Sequence, residues 1–256
     1  MNRMIALVVR DYKIFMTSHW RLLELLYFPV TTVLIWGVFA LWTRELASAA
    51  GTIALAVNIF WSWAYTVQTS INIAINEDVW SGSGPEIFAT GINKWEYIGA
   101  RIMLSAILSA MNILIIAAIS QLFGFFDFVG ALVPSLALLG AVFIASIGLA
   151  MFVAGIFFTV GTEHTWLAWS AMQIFIVLSS PLTPPSVLPE AFQAAAEVMP
   201  FTALFEGVRA VSTGQAWSAF AQSAFAMAIV YLFIGLAVYH VGFEHARCTG
   251  KLARMF

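Results

Sequence analysis

The apolar positions of this chain come in long uninterrupted runs, and the charged positions mark where those runs stop. No Asp, Glu, Lys or Arg falls within 25–43, 46–76, 102–126, 128–162, 165–189 or 210–243. A charged side chain is costly at bilayer depth, so such gaps are where a membrane can be crossed. A hydrocarbon core of about 30 Å takes about 20 helical residues at about 1.5 Å each. Each gap therefore holds one crossing, and the pattern predicts six spans, near 25–43, 53–75, 102–123, 132–158, 165–181 and 217–242. The fourth and sixth gaps are the longest, with room for tilt and flanking loop but too short for two helices and a turn.

Before the first span, residues 1–21 have a different period. Ile5, Val8, Val9, Tyr12, Phe15, Met16 and Trp20 recur at steps of three and four, while Arg3, Arg10, Lys13, Thr17 and Arg21 fall largely on the opposite side. An apolar stripe backed by cations describes an amphipathic helix lying in the membrane interface, against the plainer reading of a basic flank that fixes topology. Pro29 then sits early in the first span, where a kink is expected. Ala47-Ser48-Ala49 resembles a signal cleavage site, but a run near twenty residues after a 21-residue basic leader is too long for a cleavable signal, and it reads as a retained span.

Composition agrees with the pattern. The chain is 62% hydrophobic and 9% charged, its mean hydropathy is +0.93, and aromatic residues make up 15%. Those values exclude a soluble enzyme, a disordered tail and a disulfide-stapled secreted module, the last also because Cys248 is the single cysteine. A net charge of −2 gives no electrostatic case for nucleic acid. Nine of the eleven Lys and Arg residues (Arg3, Arg10, Lys13, Arg21, Lys94, Arg101, Arg247, Lys251 and Arg254) lie on the side shared by both termini of a six-span chain. Arg44 and Arg209 are left on the other side. This bias predicts cytoplasmic termini.

Two connecting segments carry more pattern than a plain loop. Residues 76–101, NEDVWSGSGPEIFATGINKWEYIGAR, hold Glu77, Asp78, Glu86, Lys94, Glu96 and Arg101. Pro85 predicts the start of a short helix with Glu86 in its first turn, Ile87 and Phe88 on one side and Gly91 at its end. The result is a charged, amphipathic cytoplasmic element that fits either a docking surface or a solvated connector. Residues 179–214 hold five of the eight prolines, at 181, 184, 185, 189 and 200. Pro189 opens a helical run over 190–198, Pro200 closes it, and Thr202 caps a second run ending near Ser212 with Gly214 beyond. A run of about ten residues reaches about 15 Å, half the hydrocarbon thickness. Apolar content at Phe192, Ala194–Ala196, Phe201, Leu204 and Phe205 favours a re-entrant pair of half-helices dipping in from the outer face over a wet extracellular loop.

Chemistry-bearing motifs are few. There is no G-x-x-x-x-G-K-[ST], and Ser81-Gly82-Ser83-Gly84 lacks the lysine and the strand-to-helix context, so the chain has no phosphate cradle of its own. No H-E-x-x-H occurs, and the four His and one Cys show no metal-ligand spacing. His164 beside Glu163 reads as a topology flank. Asn58, Gln68, Asn72, Asn112 and Gln173 within spans read as interhelical hydrogen-bonding groups, and Gly140, Gly148 and Gly155 as sites of close helix packing. No span carries a carboxylate or basic group suited to proton or sodium relay, which weighs against a secondary transporter.

The order of these parts resembles the permease subunit of ABC type-2 exporters across essentially the whole chain. In that family an interfacial helix precedes six spans, with a charged loop after the second and a proline-rich hairpin before the last. Residues 77–101 resemble its coupling-helix region, and 181–209 resemble its extracellular hairpin through PLTPPSVLPEAF and MPFTALFEGVR. The stretch Ser81 to Pro85 departs from the family, which more often has a Gly-Thr step without proline. The resemblance implies one permease domain over 1–256, all-α, in a bacterial inner (plasma) membrane. It implies coupling to a separate ATP-binding subunit through Glu77, Asp78, Glu86, Ile87, Phe88, Trp95 and Glu96. It implies an outer gate at Pro181, Leu182, Leu188, Pro189, Pro200, Phe201 and Arg209. It further implies ATP and Mg on the partner, none on this chain, and a second permease copy, with a homodimer expected. An aromatic, almost uncharged pathway suits an amphipathic or lipid-linked cargo such as a lipid, glycan or drug. The alternatives are an ATP-independent carrier or channel, for which no ion-coupling residue is found, and an intramembrane enzyme, for which no catalytic constellation is found.

Overall fold

The computed structural model describes residues 3–43, 50–125, 132–161, 164 and 166–251. Arg44, the Ala47-Ser48-Ala49 step, Glu163 and Arg254 lie outside them. The described residues form α1 (Arg3–Thr17), α2 (His19–Thr43), α3 (Ala50–Ser81), α4 (Gly84–Ala89), α5 (Lys94–Leu122), α6 (Leu132–Val160), α7 (Leu167–Leu178), α8 (Glu190–Val198), α9 (Thr202–Ser212) and α10 (Ser218–Cys248). A 3-10 turn, Pro185–Val187, precedes α8. The fold is all-helical.

Five helices are long and apolar enough to cross a membrane: α2, α3, α5, α6 and α10. This marks a multi-pass membrane protein. The expected span over 165–181 differs: α7 has 12 residues and reaches about 18 Å, well short of a hydrocarbon core. It stops because Ser180 adopts φ +51°, a left-handed backbone that a helix cannot continue, and Pro181 follows. Pro29, in contrast, is carried inside α2.

α3 is the central helix. It packs against α2, α5, α6, α7 and α9, and Val67, Gln68 and Ile71 on it are fully buried. Ser105 on α5 donates to the Val67 carbonyl at 2.9 Å, and Gln68 Nε2 donates to the Ala168 carbonyl of α7 at 3.1 Å, the expected kind of interhelical bond. Gln173 is exposed and does not join α7 to a neighbour within the bundle.

The closest helix pair is α6 with α10. A Cβ built on Gly235 would collide with the Gly148 carbonyl oxygen, and one on Gly242 with the Gly155 carbonyl oxygen. Both helices thus carry glycines seven residues apart, two turns along one face, so the backbones touch. Gly148 and Gly155 pack as expected. Gly140 is looser and faces the ring of Phe225.

α1 also departs in detail from its predicted stripe. Leu7, Val8, Asp11 and Phe15 turn into the protein, whereas Ile5, Val9, Tyr12 and Met16 are exposed at steps of four, three and four. The amphipathic helix therefore has two apolar faces, one packed on α5 and one left outside. Trp20 belongs to α2 and is exposed.

Candidate functional site

The segment between α3 and α5 is built from local backbone rules. α3 ends in a Schellman arrangement: Ser83 N–H donates to the Asp78 carbonyl and Gly82 N–H to the Val79 carbonyl, with Gly82 at φ +66°. One residue on, Gly84–Pro85 starts α4 with Glu86 in its first turn. The Ser81 to Pro85 stretch thus stops one helix and starts the next within three residues. Gly91 at φ +77° turns the chain again. Asn93 then caps α5: its side chain accepts from the Trp95 and Glu96 N–H groups at 2.9 Å, and Glu96 accepts from the Asn93 N–H. That is a capping box.

Around this segment lies a buried ion network. Arg101 on α5 and Asp78 on α3 are each 1% exposed and paired to each other. Arg101 also pairs with Asp11 of α1, while Arg10 of α1 pairs with both Asp11 and Asp78. The Tyr97 hydroxyl donates to Asp78 at 2.7 Å, Ser83 Oγ donates to it at 3.2 Å, and the Arg101 guanidinium lies 4.8 Å from the Tyr97 ring centre. Two carboxylates and two guanidiniums cancel, which is the condition for keeping such charges out of water. Arg21 of α2 pairs with Glu77, and Arg3 of α1 donates to the Gly91 carbonyl. α1 and α2 are thereby tied to residues on either side of α4.

A second tie comes from α10. Lys94 pairs with Glu244 and lies 2.8 Å from His240 Nδ1; the Tyr239 hydroxyl donates to the Lys94 carbonyl at 2.9 Å. Phe88 packs on Tyr97 and Phe243, and Trp95 stacks on His240 with rings 3° from parallel.

The seven residues expected to form a docking surface therefore differ in placement. Glu86 is exposed and Trp95 is 44% exposed. Asp78 and Ile87 are buried within the chain, Phe88 is half-buried against α10, Glu77 faces Arg21, and Glu96 is occupied by the cap. Asp11, Arg10, Arg101, Tyr97 and the Lys94–Glu244 pair were not singled out from sequence as a cluster. The available signal was Asp11, an acid in register with the apolar Leu7 and Phe15.

On the other connecting segment, α8 and α9 occupy the two proline-delimited runs expected for them. Thr202 does not cap α9; Phe201 holds that position and Thr202 Oγ1 donates to the Ala196 carbonyl at 2.5 Å, joining the two helices. Arg209 Nη1 donates to the Ser180 and Pro181 carbonyls, each at 3.1 Å, and so holds the left-handed turn that ends α7. Pro200 and Phe201 are buried, Leu188 and Pro181 half-buried, and Leu182 and Pro189 exposed. The Tyr231 hydroxyl of α10 donates to the Val198 carbonyl, anchoring the end of α8.

Among the described residues, no group of three or more His, Cys, Asp or Glu is placed to hold a metal ion. Comparison with models of known protein families gives no match, and no curated protein matches the chain significantly in sequence.

Proposed function

We propose that this chain is the membrane permease subunit of an ATP-driven ABC exporter, energised by a separate ATP-binding subunit that presses on α4. The observation that supports this reading most is the way the α4 segment is held. It is a short helix that presents Glu86 outward, and the ends of α3 and α5 that flank it are fastened by ion pairs to each other and to α1, α2 and α10. A load on Glu86 or Trp95 would pass to those helices together, because buried paired charges resist separation. A plain connector needs no such fastening.

In this reading both termini are cytoplasmic, and α7 with the 179–214 segment makes the remaining crossing, with α8 and α9 re-entering from the outside as a gate. Arg209 latches that gate to the end of α7. A second copy of the chain completes the pathway, in a bacterial inner membrane, and the cargo is amphipathic or lipid-linked, in keeping with the aromatic, uncharged helix faces. ATP and Mg belong to the partner.

Affinity capture of the full chain in mild detergent tests the proposal. An ATPase subunit is expected in the captured complex, and Glu86→Arg is expected to lower its cargo-stimulated hydrolysis at unchanged assembly. Capture of no ATPase, or unaided transport by the purified chain in liposomes, would overturn it in favour of an ATP-independent carrier.

A further inference from the structure

The Gly155–Gly242 contact has a consequence on the outer side of the α6–α10 pair. With the two backbones pressed together, the larger side chains on either flank splay apart. A trough of about 370 Å³ opens between them, lined by Ile156, Thr159 and Val160 of α6 and by Val238, Val241 and Gly242 of α10. Its lining is apolar and open to the surroundings; Val241 is 66% exposed. At its mouth, where both helices end, Lys251 folds back and donates to the Thr159 carbonyl at 2.7 Å. An ammonium has three N–H donors, so this bond holds the cation beside Thr159, a residue of the trough lining, and uses only one of them. His245 continues the Val238–Val241 face one turn further toward the same end and is exposed.

An apolar trough closed at one end by a fixed cation matches one ligand chemistry, an acyl chain joined to an anionic head group. We infer that this trough binds an anionic phospholipid of the leaflet at which α10 ends, with its chain along Val238 and Val241 and its phosphate on Lys251. Charge complementarity selects the head group, and exclusion of the chain from water holds the tail. The site depends on the chain lying in a membrane and not on the exporter reading. A lipid there covers the seam between α6 and α10, where the two backbones touch.

Full-length protein extracted from bilayers of equimolar phosphatidylglycerol and phosphatidylcholine, with the last-released lipid identified by native mass spectrometry, tests the inference. Wild type is expected to retain phosphatidylglycerol. Lys251→Gln is expected to lower the phosphatidylglycerol-to-phosphatidylcholine ratio about fivefold, the effect of one interfacial charge. Ala237→Trp, at an exposed position on the trough rim, is expected to abolish retention of either lipid at an unchanged unfolding temperature. Equal retention of the two lipids by wild type, or an unchanged ratio in Lys251→Gln, would overturn the inference. So would unchanged retention in Ala237→Trp, or displacement of the lipid by millimolar inorganic phosphate, since either would mean a simple anion site.

Discussion

Arg101 and Asp78 come from different helices, sit 23 positions apart and meet where water does not reach either of them. Neither charge is tolerable there alone. Arg101→Met is therefore expected to destabilise the protein by about 3–5 kcal/mol, because the two buried carboxylates of Asp11 and Asp78 are then left with only Arg10 between them, one negative charge uncompensated. Denaturant unfolding in detergent measures this. Adding Asp11→Asn and Asp78→Asn to the same chain should recover part of the loss; no recovery would show that packing rather than charge dominates.

The glycine contacts predict a sharp contrast along one helix pair. Gly235→Ala places a methyl on the Gly148 carbonyl and should cost about 1–3 kcal/mol, as other overpacked sites do. Gly140→Ala meets only the end of the Phe225 ring, 3.3 Å away, and should stay within about 0.5 kcal/mol of wild type. Equal effects in thermal unfolding would remove the seam from its central place.

Arg209 holds two backbone carbonyls at the end of α7. Arg209→Met should free the turn at Ser180 and raise amide hydrogen exchange over 180–189 by about tenfold, the equivalent of one charged hydrogen bond lost. Exchange at wild-type rates would show that the turn is held by its prolines alone.

The start of α5 rests on its capping box. Asn93→Ala is expected to destabilise by about 1 kcal/mol and to loosen the Lys94–Glu244 tie along with it. The readout is unfolding of the single variant against Glu244→Gln and the double variant; full additivity would mean that cap and ion pair are independent.

Orientation is open to a chemical test through Cys248, the single cysteine, which is exposed just past the last crossing. A membrane-impermeant maleimide should label it in inside-out vesicles and leave it unlabelled in right-side-out ones. The reverse pattern would place α4 outside and end the coupling proposal.

Much of this arrangement was legible in the chain itself. Gaps between charges located α2, α3, α5, α6 and α10, because desolvating a charge is costly wherever the chain goes. Prolines at 189 and 200 delimited α8 and α9, because a ring that lacks an N–H and fixes φ acts on its immediate neighbours. Gly140, Gly148 and Gly155 announced close packing without naming a partner. The same reasoning overextended α7, since the absence of charge bounds a helix only from outside and says nothing of a left-handed turn at Ser180 within the gap.

What the sequence determined by itself is local or additive: which segments lipid can solvate, where helices begin and stop, and which faces are apolar. What only the tertiary structure decided is pairing. Asp11 lies 90 residues from Arg101, Lys94 lies 150 from Glu244, and Gly148 lies 87 from Gly235. Read along the chain, Arg10, Lys94 and Arg101 are charges at the edges of spans, as suited to water as to each other. Only when α1, α3, α5 and α10 close around the α4 segment do desolvation and mutual attraction make them a single unit, since the energy of a buried charge depends on what stands beside it in space.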